Sequence, residues 1–166
     1  MRIGYVVYYK YVKKVILVNS IDITIQPLQV IQQQEWLALW QAYQRFYKVQ
    51  ISAEISQNTW RKLIDDQNQH VYGFAAMVDG KAVGIVHVIE HDSCWTLKPY
   101  AYLQDLYTHE GLRGKGVARA LIQAVQKYTE QRQCDRVYWL THQDNEQAQN
   151  LYDRIARKTG FIQYRI

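Results

Sequence analysis

Residues 112–121 read L-R-G-K-G-V-A-R-A-L, a short basic turn with two glycines that runs directly into a helical pattern. A strand-like run, residues 102–108, precedes the turn. Such a turn exposes several backbone N–H groups at a helix start, where the helix dipole places a partial positive charge. Gly114 and Gly116 let a ligand come close to the main chain, and Arg113 and Lys115 add full positive charge. The pattern predicts a phosphate-binding turn, although basic glycine turns also occur as plain connections.

The elements around this turn follow a regular order. The patterns before it predict a strand at 21–25, helices at 30–48 and 56–67, and strands at 71–78, 82–89 and 100–108. Those after it predict a helix at 116–131, a strand at 136–141, a helix at 146–158 and a final strand at 161–166. Alternation of strand and helix in the second half favours parallel pairing there. Asp79-Gly80 suits the tight turn of an antiparallel hairpin, so the sheet is expected to be mixed.

The composition is typical of a soluble globular domain. A chain of 166 residues is long enough for one domain with a sizeable core. Only two residues are Pro, which excludes long Pro-rich linkers. The net charge of +5 fits either solubility alone or an anionic partner such as a nucleotide cofactor, and charge by itself does not choose between them.

The cysteine and histidine patterns favour neither disulfides nor metal binding. Cys94 and Cys134 are too few and too far apart for a disulfide framework or a zinc site, so free thiols in a reducing cytoplasm are expected. The histidines show no metal-ligand spacing, and no metal is expected. No apolar run is long enough to span a bilayer, and no membrane partner is expected.

The first twenty residues differ from the rest of the chain. They are rich in Val, Ile and Tyr and are interrupted by Lys10, Lys13 and Lys14, unlike a signal peptide. An extra strand, a loosely attached arm and translated sequence upstream of the true start are all compatible with this pattern. We therefore treat residues 1–20 as an N-terminal extension of uncertain status and residues 21–166 as the domain.

Two ordered motifs carry a family resemblance. The turn resembles the acetyl-CoA signature [RQ]-x-x-G-x-[GA] of the GNAT superfamily of N-acetyltransferases, with Arg113, Gly116 and Ala118 at its fixed positions. Residues 145–152, N-E-Q-A-Q-N-L-Y, with Gly-Phe at 160–161, resemble the N-x-x-A-x-x-L-Y…G-F segment of the same superfamily. The resemblance implies an α/β fold with a mixed, mostly antiparallel twisted sheet. Its parallel pair would splay at the acetyl-CoA site, and helices would cover both faces.

The resemblance also implies an acetyl-CoA cosubstrate and assigns residues to it. The backbone of strand 102–108 would pair with the pantetheine arm, the turn would hold the pyrophosphate, and Asn145 would hydrogen-bond the CoA arm. Tyr152 would stand near the sulfur as general acid, two helical turns after Asn145 and on the same face. The implied cofactor-binding residues are Leu106, Tyr107, Thr108, Arg113, Gly114, Lys115, Gly116, Val117, Ala118, Asn145 and Tyr152.

These residue types suit acyl transfer to an amine. A lysine-like amine with a pKa of about 10.4 must lose a proton before it attacks, and a backbone N–H can stabilise the resulting oxyanion. A tyrosine with a pKa of about 10 can then protonate the leaving thiolate. Outside the motif, Tyr152 would read as a core aromatic, Asn145 as a helix cap and Lys115 as a solvated charge.

The acceptor side is less clearly marked than the cofactor side. Residues 102–107 resemble the matching strand of spermidine/spermine-type acetyltransferases, which carry Glu-Asp where this chain has Gln104-Asp105. Glutamine is no base, so Asp105 would relay a proton, anchor a cationic amine, or merely pair with a basic side chain. Glu90, His91 and Asp92 are alternative bases. The residues expected to contact the substrate are Phe46, Tyr47, Gln104 and Asp105.

The expected function is direct transfer of acetyl from acetyl-CoA to a primary amine of a small molecule, polyamine or protein. A CoA-binding module without catalysis is the main alternative. No nucleic-acid partner is expected, because the basic residues near the N-terminus form a poor binding face. Eight residues separate Tyr152 from Gly160, where four is commoner, and the last superfamily strand would be missing. A homodimer that completes it is therefore an open expectation.

Overall fold

A five-stranded mixed sheet forms the middle of the computed structural model, which describes residues 21–166. The strands lie side by side in sequence order, and only the last pair is parallel. They are β1 (Thr24–Pro27), β2 (Val71–Val78), β3 (Lys81–His91), β4 (Tyr100–Thr108) and β5 (Arg136–Tyr138). The predicted fold class, a mostly antiparallel sheet with one parallel pair, is confirmed. The proposed extension at residues 1–20 lies outside the described residues.

Four α-helices of residues 21–166 cover the two faces of this sheet. They are α1 (Gln33–Phe46), α2 (Ala53–Ile64), α3 (Val117–Gln131) and α4 (Glu146–Tyr152). Ser52 caps α2 by accepting a hydrogen bond from the Ile55 N–H, and Gln32 and Glu35 form a capping box on α1. These caps satisfy N–H groups that a helix start otherwise leaves free, so both helices begin where the sequence supplies a cap.

Each face of the sheet has its own apolar cluster. On the α1–α2 face, the indole rings of Trp36 and Trp60 lie 5.1 Å apart against Ile85 of β3. On the opposite face, α3 buries Val117, Leu121 and Val125 fully, together with the β3 and β4 residues beneath them. Burying a side chain of this kind contributes about 1.5–3 kcal/mol, so the two clusters hold the helices firmly on the sheet.

A β-bulge in β4 changes the direction of its side chains. His87 of β3 pairs with Asp105, whereas the next residue, Val88, pairs with Leu103, so Gln104 is an extra residue in β4. Leu103 consequently packs into the α3 cluster, while Asp105 lies beside His87 on the α1 face. The bulge therefore turns a carboxylate toward α1 that plain alternation would have directed to the α3 cluster.

The C-terminal part differs from the prediction. α4 ends at Tyr152 instead of residue 158, because the chain continues as turns in which the Arg154 N–H bonds back to Leu151. β5 ends at Tyr138 instead of residue 141, where it diverges from β4. The predicted strand at 161–166 is wrong, since these residues pair with no strand of the described part and remain exposed. Gly160, at φ +84°, leads the chain into this extended tail.

Candidate active site

A cleft opens where the two parallel strands separate. β4 and β5 pair only at their beginnings, from Tyr100 with Arg136 to Tyr102 with Tyr138. The end of β4 is left without a partner on that side, and a cavity of ≈ 340 Å³ lies between it, the start of α3 and α4. Its lining residues are Phe46, Tyr47, Leu106, Tyr107, Thr108, Leu112, Arg113, Gly114, Gly116, Val117, Ala118, Arg119, Asn145, Gln147, Ala148, Asn150, Leu151, Tyr152 and Arg154.

The glycine turn presents free backbone N–H groups to this cleft. Gly114 and Gly116 take positive φ angles of 74° and 92°, which glycine adopts without steric cost. Gly116 is the N-cap of α3 and has no side chain to cap the helix. Within residues 21–166, the N–H groups of Val117, Ala118 and Arg119 donate no hydrogen bond. They converge at the positive end of the helix dipole, which is an arrangement suited to a phosphate group.

The basic side chains of the turn lie in different places. Arg113 folds back over the aromatic rings, with its guanidinium carbon 5.2 Å from the Phe46 ring centroid and its Nε donating to the Thr108 carbonyl at 3.4 Å. Lys115 is exposed and does not line the cavity. Arg119 and Arg154 do line it, although the sequence analysis did not single them out. Arg119 could have been found from its place in the first helical turn, whereas Arg154 depends on the end of α4.

The exposed edge of β4 contributes both backbone and side-chain groups. Leu106, Tyr107 and Thr108 line the cavity, as expected for a strand edge that would pair with an extended ligand. Within residues 21–166, the Thr108 Oγ1 is buried without a hydrogen-bond partner. Because buried hydroxyl groups are normally paired, this oxygen is available to a ligand bound at the strand edge.

Asn145 and Tyr152 face the same cavity from α4. Asn145 is the N-cap, and its Oδ1 accepts from the Ala148 N–H at 3.3 Å, so the cap role proposed as the alternative is present. Its position in the lining leaves the ligand role open as well. The Tyr152 ring packs edge-on against Trp139 at 5.2 Å, and burial raises its pKa to about 12, assisted by Tyr47. The phenol is therefore kept in its protonated form.

Phe46 and Tyr47 close the cleft from the end of α1. Both remain substantially exposed, at 44% and 40%, although both line the cavity. Burial raises the pKa of Tyr47, a hydrogen bond with Asn145 opposes that shift, and the charge of Asp105 adds to it. Tyr47 is thus electrostatically coupled to groups on both α4 and β4, between the two halves of the predicted site.

Asp105 lies just outside the cavity lining, in a buried hydrogen-bond chain. Its Oδ2 is 3.0 Å from the His87 Nδ1, and the His87 Nε2 is 2.9 Å from the Trp36 Nε1. Gln104, the bulge residue, is exposed and does not line the cavity either. No local sequence pattern marks His87, because its pairing with Asp105 depends on the strand register and on the bulge.

Glu90 is excluded as a catalytic base by its contacts. Its carboxylate accepts from the Arg132 Nε at 2.8 Å and from the Tyr72 hydroxyl at 2.8 Å, on the α3 face of the sheet. A buried carboxylate held by an arginine and a phenol is a structural group here. His91 donates from Nδ1 to the Asp92 carbonyl and accepts at Nε2 from the Tyr138 hydroxyl at 2.9 Å, near the surface.

Other classes of site leave no trace in the described residues. No cluster of three or more His, Cys, Asp or Glu residues within 21–166 could hold a metal ion. None of the helices described here has the length and apolarity needed to cross a membrane. Cys94 and Cys134 are free thiols.

The splayed strand pair and the uncapped helix after a glycine turn are the features expected of an acyl-CoA-dependent N-acyltransferase. The chain belongs to the acetyltransferase (GNAT) family, whose model matches residues 34–156. It is therefore an acetyl-CoA-dependent N-acetyltransferase, as the two sequence motifs predicted.

Relatives of known activity support this membership. The chain is 32% identical over 145 residues to the D-amino-acid N-acetyltransferase HPA3 of Saccharomyces cerevisiae, which covers 86% of this chain and 89% of that protein. It is 30% identical over 94 residues to the aminoglycoside N(6')-acetyltransferase type 1 of Salmonella typhimurium, covering 54% of this chain and 64% of that protein. Both relatives acetylate amines, so N-acetyl transfer is the shared chemistry.

Solved structures share the fold. An aminoglycoside N-acetyltransferase in complex with CoA superposes with a TM-score of 0.76 at 19% identity, over 91% of this chain and 98% of its own. A ribosomal-protein-alanine N-acetyltransferase from Brucella melitensis biovar Abortus 2308 gives 0.71 at 24% identity, over 89% and 99%. At these identities the likeness concerns the fold alone.

Proposed function

We propose that this enzyme transfers acetyl from acetyl-CoA directly to a primary amine, with Tyr152 as general acid and Asp105 as the anchor of the amine. The observation that carries the proposal is the cleft itself. It brings Tyr152 of α4 to the unpaired end of β4 and to the free N–H groups of α3.

The cleft suits the parts of acetyl-CoA. The N–H groups of residues 117–119 would hold the pyrophosphate, and Arg119 and Arg154 would add charge to its phosphates. The free edge of Leu106 to Thr108 would pair with the pantetheine amides, and the unpaired Thr108 hydroxyl would gain a partner. When bound, acetyl-CoA supplies an activated thioester carbonyl.

The proton transfers can be assigned to residues of this chain. The amine arrives as an ammonium ion and pairs with the Asp105 carboxylate, from which one proton leaves to solvent. The neutral nitrogen forms the bond to the acyl carbon, and the backbone N–H at Leu106 stabilises the developing oxyanion. The carbon–sulfur bond then breaks, and Tyr152 gives its proton to the sulfur. The second amine proton returns to Tyr152, which balances the reaction.

The acceptor is proposed to be a small cationic amine. The yeast relative, which matches most of this chain, acts on D-amino acids, and the Salmonella relative acts on aminoglycosides. Both substrates present a primary ammonium group. Asp105 supplies a buried negative charge at this end of the site, flanked by Tyr43, Tyr47 and Tyr102. A carboxylate among phenol rings is suited to an ammonium ion.

The proposal is tested by release of free thiol from acetyl-CoA in the presence of D-amino acids, aminoglycosides, polyamines and lysine peptides. Saturable release with at least one amine class, together with calorimetric binding of CoA, is the expected result. Binding without release in every class would instead favour the CoA-binding module without catalysis. Absence of CoA binding at high micromolar concentration would exclude both.

A further inference from the structure

Three buried side chains form a hydrogen-bonded chain beneath the acceptor end of the site. Trp36 on α1, His87 on β3 and Asp105 on β4 come from three separate elements. The Trp36 indole Nε1 lies 2.9 Å from the His87 Nε2, and the His87 Nδ1 lies 3.0 Å from the Asp105 Oδ2. Both contacts have ordinary hydrogen-bond lengths. All three residues are buried, so water does not compete for these bonds.

The partners decide which His87 nitrogen carries the proton. An indole Nε1 can only donate, so the His87 Nε2 must be the unprotonated acceptor. The Nδ1 therefore bears the hydrogen and donates it to the Asp105 carboxylate. A second proton on His87 would have to occupy Nε2, where it would face the Trp36 N–H. Trp36 thus fixes the tautomer of His87 and keeps its Nδ1 hydrogen turned toward Asp105.

One charged group lies beside the His87 ring, among otherwise apolar or uncharged neighbours. From α1 it meets the rings of Trp36 and Trp40, and from β2 it meets Gly73, whose Cβ position would lie 3.4 Å from the His87 ring. From β4 it meets the Asp105 carboxylate. On α1, burial raises the pKa of the Tyr43 hydroxyl, and the nearby charge of Asp105 adds to that rise. Within residues 21–166, Asp105 is the charged group paired with His87.

We propose that Trp36 and His87 are positioning residues that fix the orientation of the Asp105 carboxylate and aim it at the acceptor amine. His87 occupies one carboxylate oxygen with a neutral donor, which orients the group without cancelling its charge. The remaining lone pairs are left for the ammonium ion. This inference rests on the proposed role of Asp105. It adds that an indole on another element sets the orientation of the anchoring carboxylate through His87.

The first variant removes the indole donor. Trp36→Phe keeps an aromatic ring and frees the His87 Nε2 to take a proton at lower pH. A His87 cation would pair with Asp105 and compete with the amine. The KM for the amine should therefore rise about tenfold between pH 8 and pH 6, the size of one charge-assisted hydrogen bond, while kcat changes little. In the parent enzyme, the KM for the amine should change between pH 8 and pH 6 only as far as protonation of the amine substrate itself changes it.

Trp40→Phe is the matched control. Trp40 lies in the same cluster and also touches the His87 ring, but its N–H donates to Ser56 at 3.2 Å. This variant loses an indole hydrogen bond of the same kind without changing the His87 nitrogens. Its KM for the amine should follow the parent across pH. An equal pH-dependent rise in both variants would mean that packing, not the indole N–H, is responsible, and would overturn the proposal.

Substitutions of His87 test the other bond. His87→Leu removes the donor to Asp105 and should raise the KM for the amine about tenfold at every pH. His87→Asn places an amide N–H near the position of Nδ1 and should restore most of the affinity. An unchanged KM in His87→Leu, or no recovery in a folded His87→Asn, would contradict the positioning role.

Two readouts do not depend on turnover. The indole N–H proton resonance of Trp36 should shift in His87→Leu, which reports the Trp36–His87 bond directly. Calorimetric binding of amine to the enzyme–CoA complex should weaken in the same variant. If the parent binds amine but releases no thiol with any acceptor, the proposed function fails. Weakened binding in His87→Leu would then still support the anchor, and unchanged binding would overturn it.

Discussion

Tyr152 stands half-buried between Trp139 and the cavity, and burial raises its pKa to about 12. An acid with this pKa holds its proton at neutral pH. The hydroxyl is therefore protonated at the stage at which the proposed transfer to the leaving thiolate would occur.

Replacement of Tyr152 by Phe should separate catalysis from binding. The ring remains and keeps its packing, so the affinity for CoA should stay within about twofold of the parent. Loss of a general acid costs typically 100-fold, and kcat should fall by about that factor. Thiol release measures kcat and calorimetry measures affinity. Tyr164→Phe, in the exposed tail, is the control and should leave both unchanged. A Tyr152→Phe enzyme with parental kcat would remove Tyr152 from the mechanism.

The raised pKa of Tyr152 also predicts the alkaline limb of the pH profile. A free tyrosine is half ionised near pH 10, whereas Tyr152 at about 12 stays protonated there. Because the pKa is raised, Tyr152 loses its proton only above the pH range in which ordinary phenols ionise. We expect kcat at saturating substrate to change by less than about twofold between pH 9 and pH 10. A fall with a midpoint below pH 10, in enzyme shown to be folded by circular dichroism, would contradict the assignment.

At the scale of elements, the glycine turn has both a backbone conformation that favours glycine and a proposed role in binding CoA. Gly116 adopts φ +92° at the start of α3, and the first open N–H groups follow directly. A side chain there would strain the backbone and displace those groups together. Stability and CoA affinity should therefore respond to the same substitution.

Gly116→Ala should lower both quantities. A left-handed conformation costs a non-glycine residue about 1–2 kcal/mol of unfolding free energy, and binding of CoA should weaken severalfold as the turn relaxes. Gly80→Ala provides the comparison, because Gly80 has φ +73° in the β2–β3 turn, with nothing within 4 Å of its Cβ position. It should lose similar stability in thermal unfolding and retain parental CoA affinity. Equal affinity in the two variants would separate the turn from CoA binding.

Most elements could be predicted from periodicity and turn residues alone. The strand 71–78 and the Asp79-Gly80 turn were predicted as they occur, since alternation and turn chemistry are local properties. The bulge at Gln104 was not predicted, because it depends on the pairing between β3 and β4. His87 was missed for the same reason. The strand predicted at 161–166 does not form, because strand propensity alone cannot supply a neighbouring strand.

The candidate site likewise contains residues that local motifs predict and residues that only the tertiary structure brings in. Positions set by a local motif, such as Asn145 and Tyr152, meet at the cavity as predicted from their helical spacing. Arg154 joins them only because the chain turns after α4. Tertiary structure decides which side chains supply charge near the cavity: Arg119 lines it, whereas Lys115, predicted from the motif to bind the cofactor, does not.

At the scale of the whole molecule, the C-terminal tail of the described chain leaves its apolar side chains uncovered. Phe161, Ile162, Tyr164 and Ile166 are all largely exposed. Ile162, Tyr164 and Ile166 alternate with the polar residues Gln163 and Arg165, which suits a strand, and large exposed apolar groups favour association. We expect a homodimer in which these residues are covered by the second copy.

Light scattering on a size-exclusion column tests that expectation. The full chain should have twice the monomer mass, and a chain ending at Gly160 should be monomeric. Gln163→Pro, which removes one backbone donor without shortening the chain, should weaken the dimer. Arg165→Ala, a charge removed from the same tail, is the control and should remain dimeric. A monomeric full chain at tens of micromolar would exclude the dimer.

The bulge at Gln104 makes the length of β4 as important as its composition. If Gln104 were paired in the ladder instead of bulging out, alternation from Leu103 would send the side chain of Asp105 into the apolar cluster of Val117 and Leu121. Deletion of Gln104 itself would leave Leu103 and Asp105 on opposite faces, as they are now. A one-residue insertion or deletion at another position of β4 would reverse the faces of the residues after it unless a second bulge absorbed it. The length of β4 is therefore constrained as well as its sequence, because its one-residue bulge ties the carboxylate proposed to anchor the amine to the packing of the core.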